Sequence, residues 1–133
     1  MIAVGIDVSK SKSTVAILNG DGSIRANPFD VHHVAGELHA LVDYIKRTSE
    51  PPTILMEPTS HYHYPLLKAF QEADLPVCLI NPYQMKKYGD TALRKAKTDK
   101  RDALRIAKYA LEKSYSLSAH VGSPGPWTPG PAR

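Results

Sequence analysis

Residues 2–8 read IAVGIDV, an unbroken and largely β-branched run. A strand that carries apolar residues on both faces needs cover on both sides, so it belongs in the middle of a sheet. The polar stretch SKSK follows as a tight turn, and residues 13–19, STVAILN, read as a second strand. The NGDG at 19–22 is a hairpin signal, because Asn-Gly and Asp-Gly accept the positive φ angles of a type I′ turn. Residues 23–30 return as a third strand, so the chain opens as an antiparallel meander.

From His33 to Arg47 the apolar residues Val34, Leu38, Leu41, Val42 and Ile45 recur at helical spacing, and Pro51-Pro52 ends the helix. Residues 53–56, TILM, form a short strand that leads directly into Glu57. A second helix spans Pro65 to Ala73, with Leu66, Leu67 and Phe70 on one face. A fifth strand covers PVCLI at 76–80, and Asn81-Pro82 opens a loop or short helix. The last helix runs from about Thr98 to Lys113, its stripe being Ala103, Leu104, Ile106, Ala107, Ala110 and Leu111. The order β-β-β-α-β-α-β-α is the layout of an RNase H-like α/β fold: a mixed sheet of three antiparallel strands, followed by alternating helices and parallel strands. The chain of 133 residues has room for one domain, drawn here over 1–115. Residues 116–133, with GSPGPWTPGP at 122–131, read as a Pro/Gly-rich disordered tail.

Cys78 is the single cysteine and lies in an apolar run, so an internal disulfide is excluded and a buried structural thiol is expected. The six histidines do not fall into a zinc-finger pattern. The N-terminus lacks the pattern of a signal peptide, and no run approaches the length of a membrane span. A cytoplasmic protein is expected.

Asp7 closes the first strand, where a carboxylate is costly to bury unless it is paired, hydrogen-bonded or metal-bound. Alternatively it caps the turn onto Ser9 or Ser11. Glu57 repeats the situation at the end of TILM. In open α/β sheets, sites form outside the carboxyl ends of the strands. Asp99 and Asp102, in KTDKRDA, share one face near the start of the last helix. Thr98 suits an N-cap, and Asp99 would then sit at the positive end of the helix dipole. Asp102 abuts the apolar stripe and is poorly explained that way. Facing inward beside Asp7, these acids would form an oxygen-rich cluster suited to Mg²⁺ or Mn²⁺. Two such ions roughly 4 Å apart can act on the attacking and leaving oxygens of a phosphodiester.

The net charge of +4 fits a nucleic-acid partner without demanding one, and its distribution is more telling. Lys86, Lys87, Arg94, Lys95, Lys97, Lys100, Arg101 and Arg105 place eight of the 17 cationic side chains within twenty residues. They read either as a solvated face or as countercharge for a phosphate backbone beside the acids. Tyr83 and Tyr88 either stack on bases or pack the loop. His61, Tyr62, His63 and Tyr64 read as helix-start packing in preference to a phosphate contact or proton shuttle. His32 and His33 show no partner in the sequence.

Four blocks, GIDVSK at 5–10, MEPTSHY at 56–62, INPYQMKKY at 80–88 and KTDKRDALRIAKY at 97–109, resemble the IS110 family of insertion-sequence transposases. These are the DEDD enzymes, whose N-terminal domain is similar to the Holliday-junction resolvase RuvC. The resemblance covers about residues 1–115. It implies an acidic tetrad at Asp7, Glu57, Asp99 and Asp102 that binds Mg²⁺, and a role in recombining DNA guided by a structured RNA. It also implies a homo-oligomer. Many relatives carry Gly where this chain has Ser60. The family's C-terminal domain, with its proposed nucleophilic serine, has no counterpart here. The chain therefore reads as a truncated or frameshifted copy, or an excised domain, that needs the missing domain for activity.

Two other readings remain. The domain could be a non-catalytic DNA- or RNA-binding module of the transposase. An actin-like or sugar-kinase ATPase fragment would also open on an acid-bearing strand, but its phosphate loop prefers Gly where this chain has Ser9, and no Gly-rich adenosine-binding segment follows.

Overall fold

The computed structural model describes residues 1–58, 60–81, 83 and 98–119, with only the backbone described for 115–119. Its elements follow the expected order: β1 (Ile2–Val8), β2 (Lys12–Asn19), β3 (Ile24–His32), α1 (Ala35–Arg47), β4 (Pro52–Glu57), α2 (Tyr64–Glu72), β5 (Val77–Leu79) and α3 (Asp99–Ala119). The five strands form one sheet in the order β3-β2-β1-β4-β5. The first three are antiparallel, while β4 and β5 run parallel to β1. The most apolar strand therefore takes the central place, as its sequence requires. The last helix continues to Ala119, beyond the expected Lys113.

Alternation along the strands divides the interior into two layers. Ile2, Val4, Ile6 and Val8 of β1, with Val15 and Ile17 of β2, pack against α1 and α2 through Leu38, Leu41, Val42, Ile45, Leu66 and Phe70. On the opposite face Ala3, Ala16, Leu18 and Leu55 meet Ala103, Ile106, Ala107 and Ala110 of α3. Cys78 packs at the margin of this second layer, where burial raises its thiol pKa, in keeping with a structural thiol.

The hairpin between β2 and β3 departs from the expected turn. Gly22 alone in the loop has a positive φ, at 92°, its N–H bonds to the Asn19 carbonyl, and the Asn19 N–H bonds to the Ser23 carbonyl. This is a three-residue loop closed by one left-handed glycine, where a type I′ turn would need two positive φ angles. Pro28 is accommodated because β3 lies at the sheet edge.

Around Gly5 the α3 layer has small residues on both sides, Ala3 and Ala16 on the sheet and Ala103 and Ala107 on the helix. A methyl group at Gly5 would collide with the backbone of α3, at the Ala107 nitrogen and 2.5 Å from the Ala103 carbonyl oxygen. Only glycine permits this approach. Toward the helix C-terminus Leu111 lies over Gly22, in the loop at the end of the sheet where β1 starts. The helix thus runs antiparallel to β1, and its first turn lies over the carboxyl ends of β1 and β4.

Gly5→Ala is expected to destabilise the domain by about 3 kcal/mol, because the added methyl meets backbone that no rotamer change can relieve. Urea denaturation measures this, and an unchanged midpoint would show that α3 is not seated on Gly5.

Candidate acidic site at the sheet end

Asp7 and Glu57 are register partners on adjacent parallel strands. Their side chains therefore leave the same face of the sheet side by side, with Cα positions about 4.8 Å apart. That face is the one α3 covers, since Asp7 continues the series Ala3, Gly5 and Glu57 follows Leu55. Across the antiparallel pairing, Asp7 also stands beside Thr14, and Thr14 beside Asp30. One row, Glu57-Asp7-Thr14-Asp30, crosses four strands at the end of the sheet.

The helix brings its own acids to this end. Thr98 acts as the N-cap, its Oγ1 accepting the Arg101 N–H at 3.1 Å. Asp99 lies exposed in the first turn, while Asp102 is half-buried and meets Arg105 at 3.4 Å. Backbone geometry thus carries Asp7, Glu57, Asp99 and Asp102 to one end of the fold. Their side chains do not close on a common point: among the described residues no three His, Cys, Asp or Glu side chains are grouped to hold a metal ion. The donor set is nonetheless carboxylate oxygen alone, the chemistry that hard divalent cations take.

Of the cationic residues singled out, Lys100 and Arg101 are exposed on the first turn of α3, and Arg105 is half-buried against Asp102. Lys86, Lys87, Arg94, Lys95 and Lys97 lie outside the described residues, as does Tyr88, whereas Tyr83 is exposed.

Sequence reasoning missed Asp30. Its Oδ1 accepts the Thr14 hydroxyl at 3.0 Å and its Oδ2 meets the Lys12 ammonium at 3.0 Å. The hydrogen bond from Lys12 is the chief reason its carboxyl titrates below the usual range, with the Thr14 bond and the charges of Lys12 and Lys100 adding to it against partial burial. Leu18 pairs with Ile24, so an unbroken ladder would set Thr14 opposite Pro28. Two register shifts within β2–β3 bring Asp30 there instead. Only alternation of the β1–β2 pair could have flagged Thr14 beside Asp7.

The histidines find local roles. Ser13 is fully buried and its Oγ lies 2.8 Å from His33 Nε2, tying the end of β3 to β2, and His32 Nδ1 lies 3.2 Å from Glu37. His63 is buried at the N-cap of α2 with its ring against Tyr64, centroids 4.5 Å apart, and its Nδ1 has no hydrogen-bond partner among the described residues. This is the packing role expected of the segment. Ser60 adopts φ 54°, a conformation glycine takes freely and other residues at a cost of about 1 kcal/mol. The serine thus keeps the turn that glycine would make.

Burial lowers the pKa of both His33 and His63, seconded by His32 and His61 respectively, and a bond to the Ser60 backbone partly opposes this at His63. The unfolded chain therefore binds these protons more tightly than the folded one. Their contribution to stability is complete above pH about 6.5 and is lost as pH falls below it. The urea midpoint is expected to drop between pH 7.5 and 5.5, and His63→Leu should make the drop smaller. An equal drop in the variant would show that His63 does not titrate with folding.

Comparison with known proteins follows the same lines. The sequence model of the IS110-type DEDD family, described as transposase, matches residues 4–122. No curated protein matches the chain in sequence. Among solved structures, RuvC of Thermus thermophilus in complex with a Holliday junction substrate superposes with a TM-score of 0.61 at 18% identity, covering 89% of this chain and 96% of that one. A second structure of Thermus thermophilus RuvC gives 0.57 at 19% identity, covering 90% and 97%. At this identity the likeness establishes a RuvC-like, RNase H-like fold. Among the described residues no helix is long and apolar enough to cross a membrane.

Proposed function

The chain belongs to the IS110 family of DEDD transposases, and on that footing we propose that it is the nucleic-acid-processing, RuvC-like domain of such an enzyme, acting in metal-dependent DNA recombination. The observation that carries the reading is the register pairing of Asp7 with Glu57 under the first turn of α3. Two adjacent carboxylates at strand ends, with Asp102 and Asp99 on the covering helix, form the acid set that a divalent ion would require.

In this reading Asp7, Glu57, Asp102 and Asp99 hold Mg²⁺ or Mn²⁺. The ion would polarise a phosphodiester and stabilise charge on the attacking and leaving oxygens. The protein residues do the remainder. The apolar floor of Leu55, Ala103 and Ile106 excludes water from beneath the carboxylates and fixes their strand ends. Arg105 meets Asp102 in an ion pair, which orients its carboxylate. Lys100 and Arg101, exposed on the same turn, offer countercharge to backbone phosphates. Lys86, Lys87, Arg94, Lys95 and Lys97 extend that basic surface in the sequence. DNA is the substrate in this account, as it is the ligand in the structure of the Thermus thermophilus resolvase. A structured guide RNA, self-association and a partner C-terminal domain follow from the family resemblance and belong to the same proposal.

The second reading, a nucleic-acid-binding module without cleavage, draws on one observation: the carboxylates do not close on a common point among the described residues. Strand nicking of a four-way DNA junction with Mg²⁺, with the family's C-terminal domain supplied in trans, separates the two. Nicking by the wild type that falls to background in Asp7→Asn is the expected outcome. Binding without nicking in both proteins would favour the module, and nicking that survives Asp7→Asn would refute the assigned site.

A further inference from the structure

The polar row does not stop at the proposed carboxylate set. Asp30, on the edge strand β3, lies two strands beyond Asp7, about 10 Å away at the spacing of a sheet. Both of its oxygens are engaged, one by the Thr14 hydroxyl and one by the Lys12 ammonium. Thr14 is only 2% exposed, so this carboxylate is anchored on the sheet itself. The Lys12 side chain is 41% exposed and that of Asp30 40%. An exposed ion pair of this kind adds little to stability. An ammonium has three donors and Asp30 uses one, which leaves Lys12 with hydrogen-bonding capacity toward solvent. Lys100, from the first turn of α3, is close enough for its charge to act on Asp30. Two cations therefore attend one carboxylate.

We propose that Lys12, held in place by the Thr14–Asp30 pair, and Lys100 form a phosphate-binding subsite that grips a nucleic-acid backbone beside the acidic set. The subsite rests on the nucleic-acid-processing reading above and adds Lys12, Thr14 and Asp30 to it. Phosphates follow one another at about 3.4 Å along the axis of a duplex strand, so the subsite would engage the backbone about three nucleotides from Asp7. Asp30 and Thr14 act as positioning residues, since they touch the lysine and not the phosphate.

Fluorescence anisotropy tests the subsite in EDTA, where cleavage plays no part. One arm uses a labelled four-way DNA junction and the other a labelled RNA hairpin, each over a series of NaCl concentrations. Lys12→Gln is expected to weaken binding at least threefold and to lower the slope of log K against log salt by about one, while Lys12→Arg keeps both. The arm in which the loss occurs identifies the strand that the subsite holds. Unchanged affinity and slope for Lys12→Gln in both arms, with the wild type binding normally, would overturn the subsite and leave the wider reading intact. Failure of the wild type to bind either probe would overturn both.

Discussion

The contact between Gly5 and the backbone of α3 sets where the helix lies, and the site depends on that placement. Small residues face each other across this layer: Ala3, Gly5 and Ala16 on the sheet, Ala103, Ala107 and Ala110 on the helix. Bulky side chains would hold α3 away from the strands. With none at the Gly5 contact, the first turn of the helix comes down over the ends of β1 and β4, and Asp102 enters the partly buried zone at the edge of the core. Tight apolar packing and acid placement are here one constraint, since moving the helix outward would separate the helix acids from the strand acids.

The sheet supplies the second half of the arrangement. A central strand flanked by one antiparallel and one parallel neighbour brings three different residues to its carboxyl end: Asp7 itself, Thr14 from β2 and Glu57 from β4. Apolar layers above and below the sheet end at this polar row. Asp7 and Glu57 hold one part of the row, and Asp30, paired with Lys12, holds the other. The family of DEDD transposases and the RuvC-like fold set the chemistry to which such an end is suited.

Much of this was legible before the structure. The apolar run of β1 located the sheet centre, and Asp7 and Glu57 were recognisable because each follows an apolar strand without a gap. The Thr98 cap and the inward bias of Asp102 followed from helical spacing. What was hidden lay in features that spacing does not encode. The hairpin closes on one left-handed glycine, and two register shifts follow it, so Asp30 reaches Thr14 by a route that counting along the strands would assign to Pro28. The roles of His33 and Ser13 depend on the same pairing. Gly5 reads as an ordinary strand residue until the helix backbone above it is seen. The basic cluster is legible as composition, but its spatial relation to the acids is described only for Lys100, Arg101 and Arg105.

The central claim is that Asp7, Glu57 and the first turn of α3 together make a divalent-ion site. Anomalous scattering from a crystal of this protein soaked in Mn²⁺ addresses it directly. The account predicts a peak bounded by the carboxylates of Asp7 and Glu57 on the sheet and Asp102 on the helix. A peak elsewhere, with none in contact with Asp7, would contradict it.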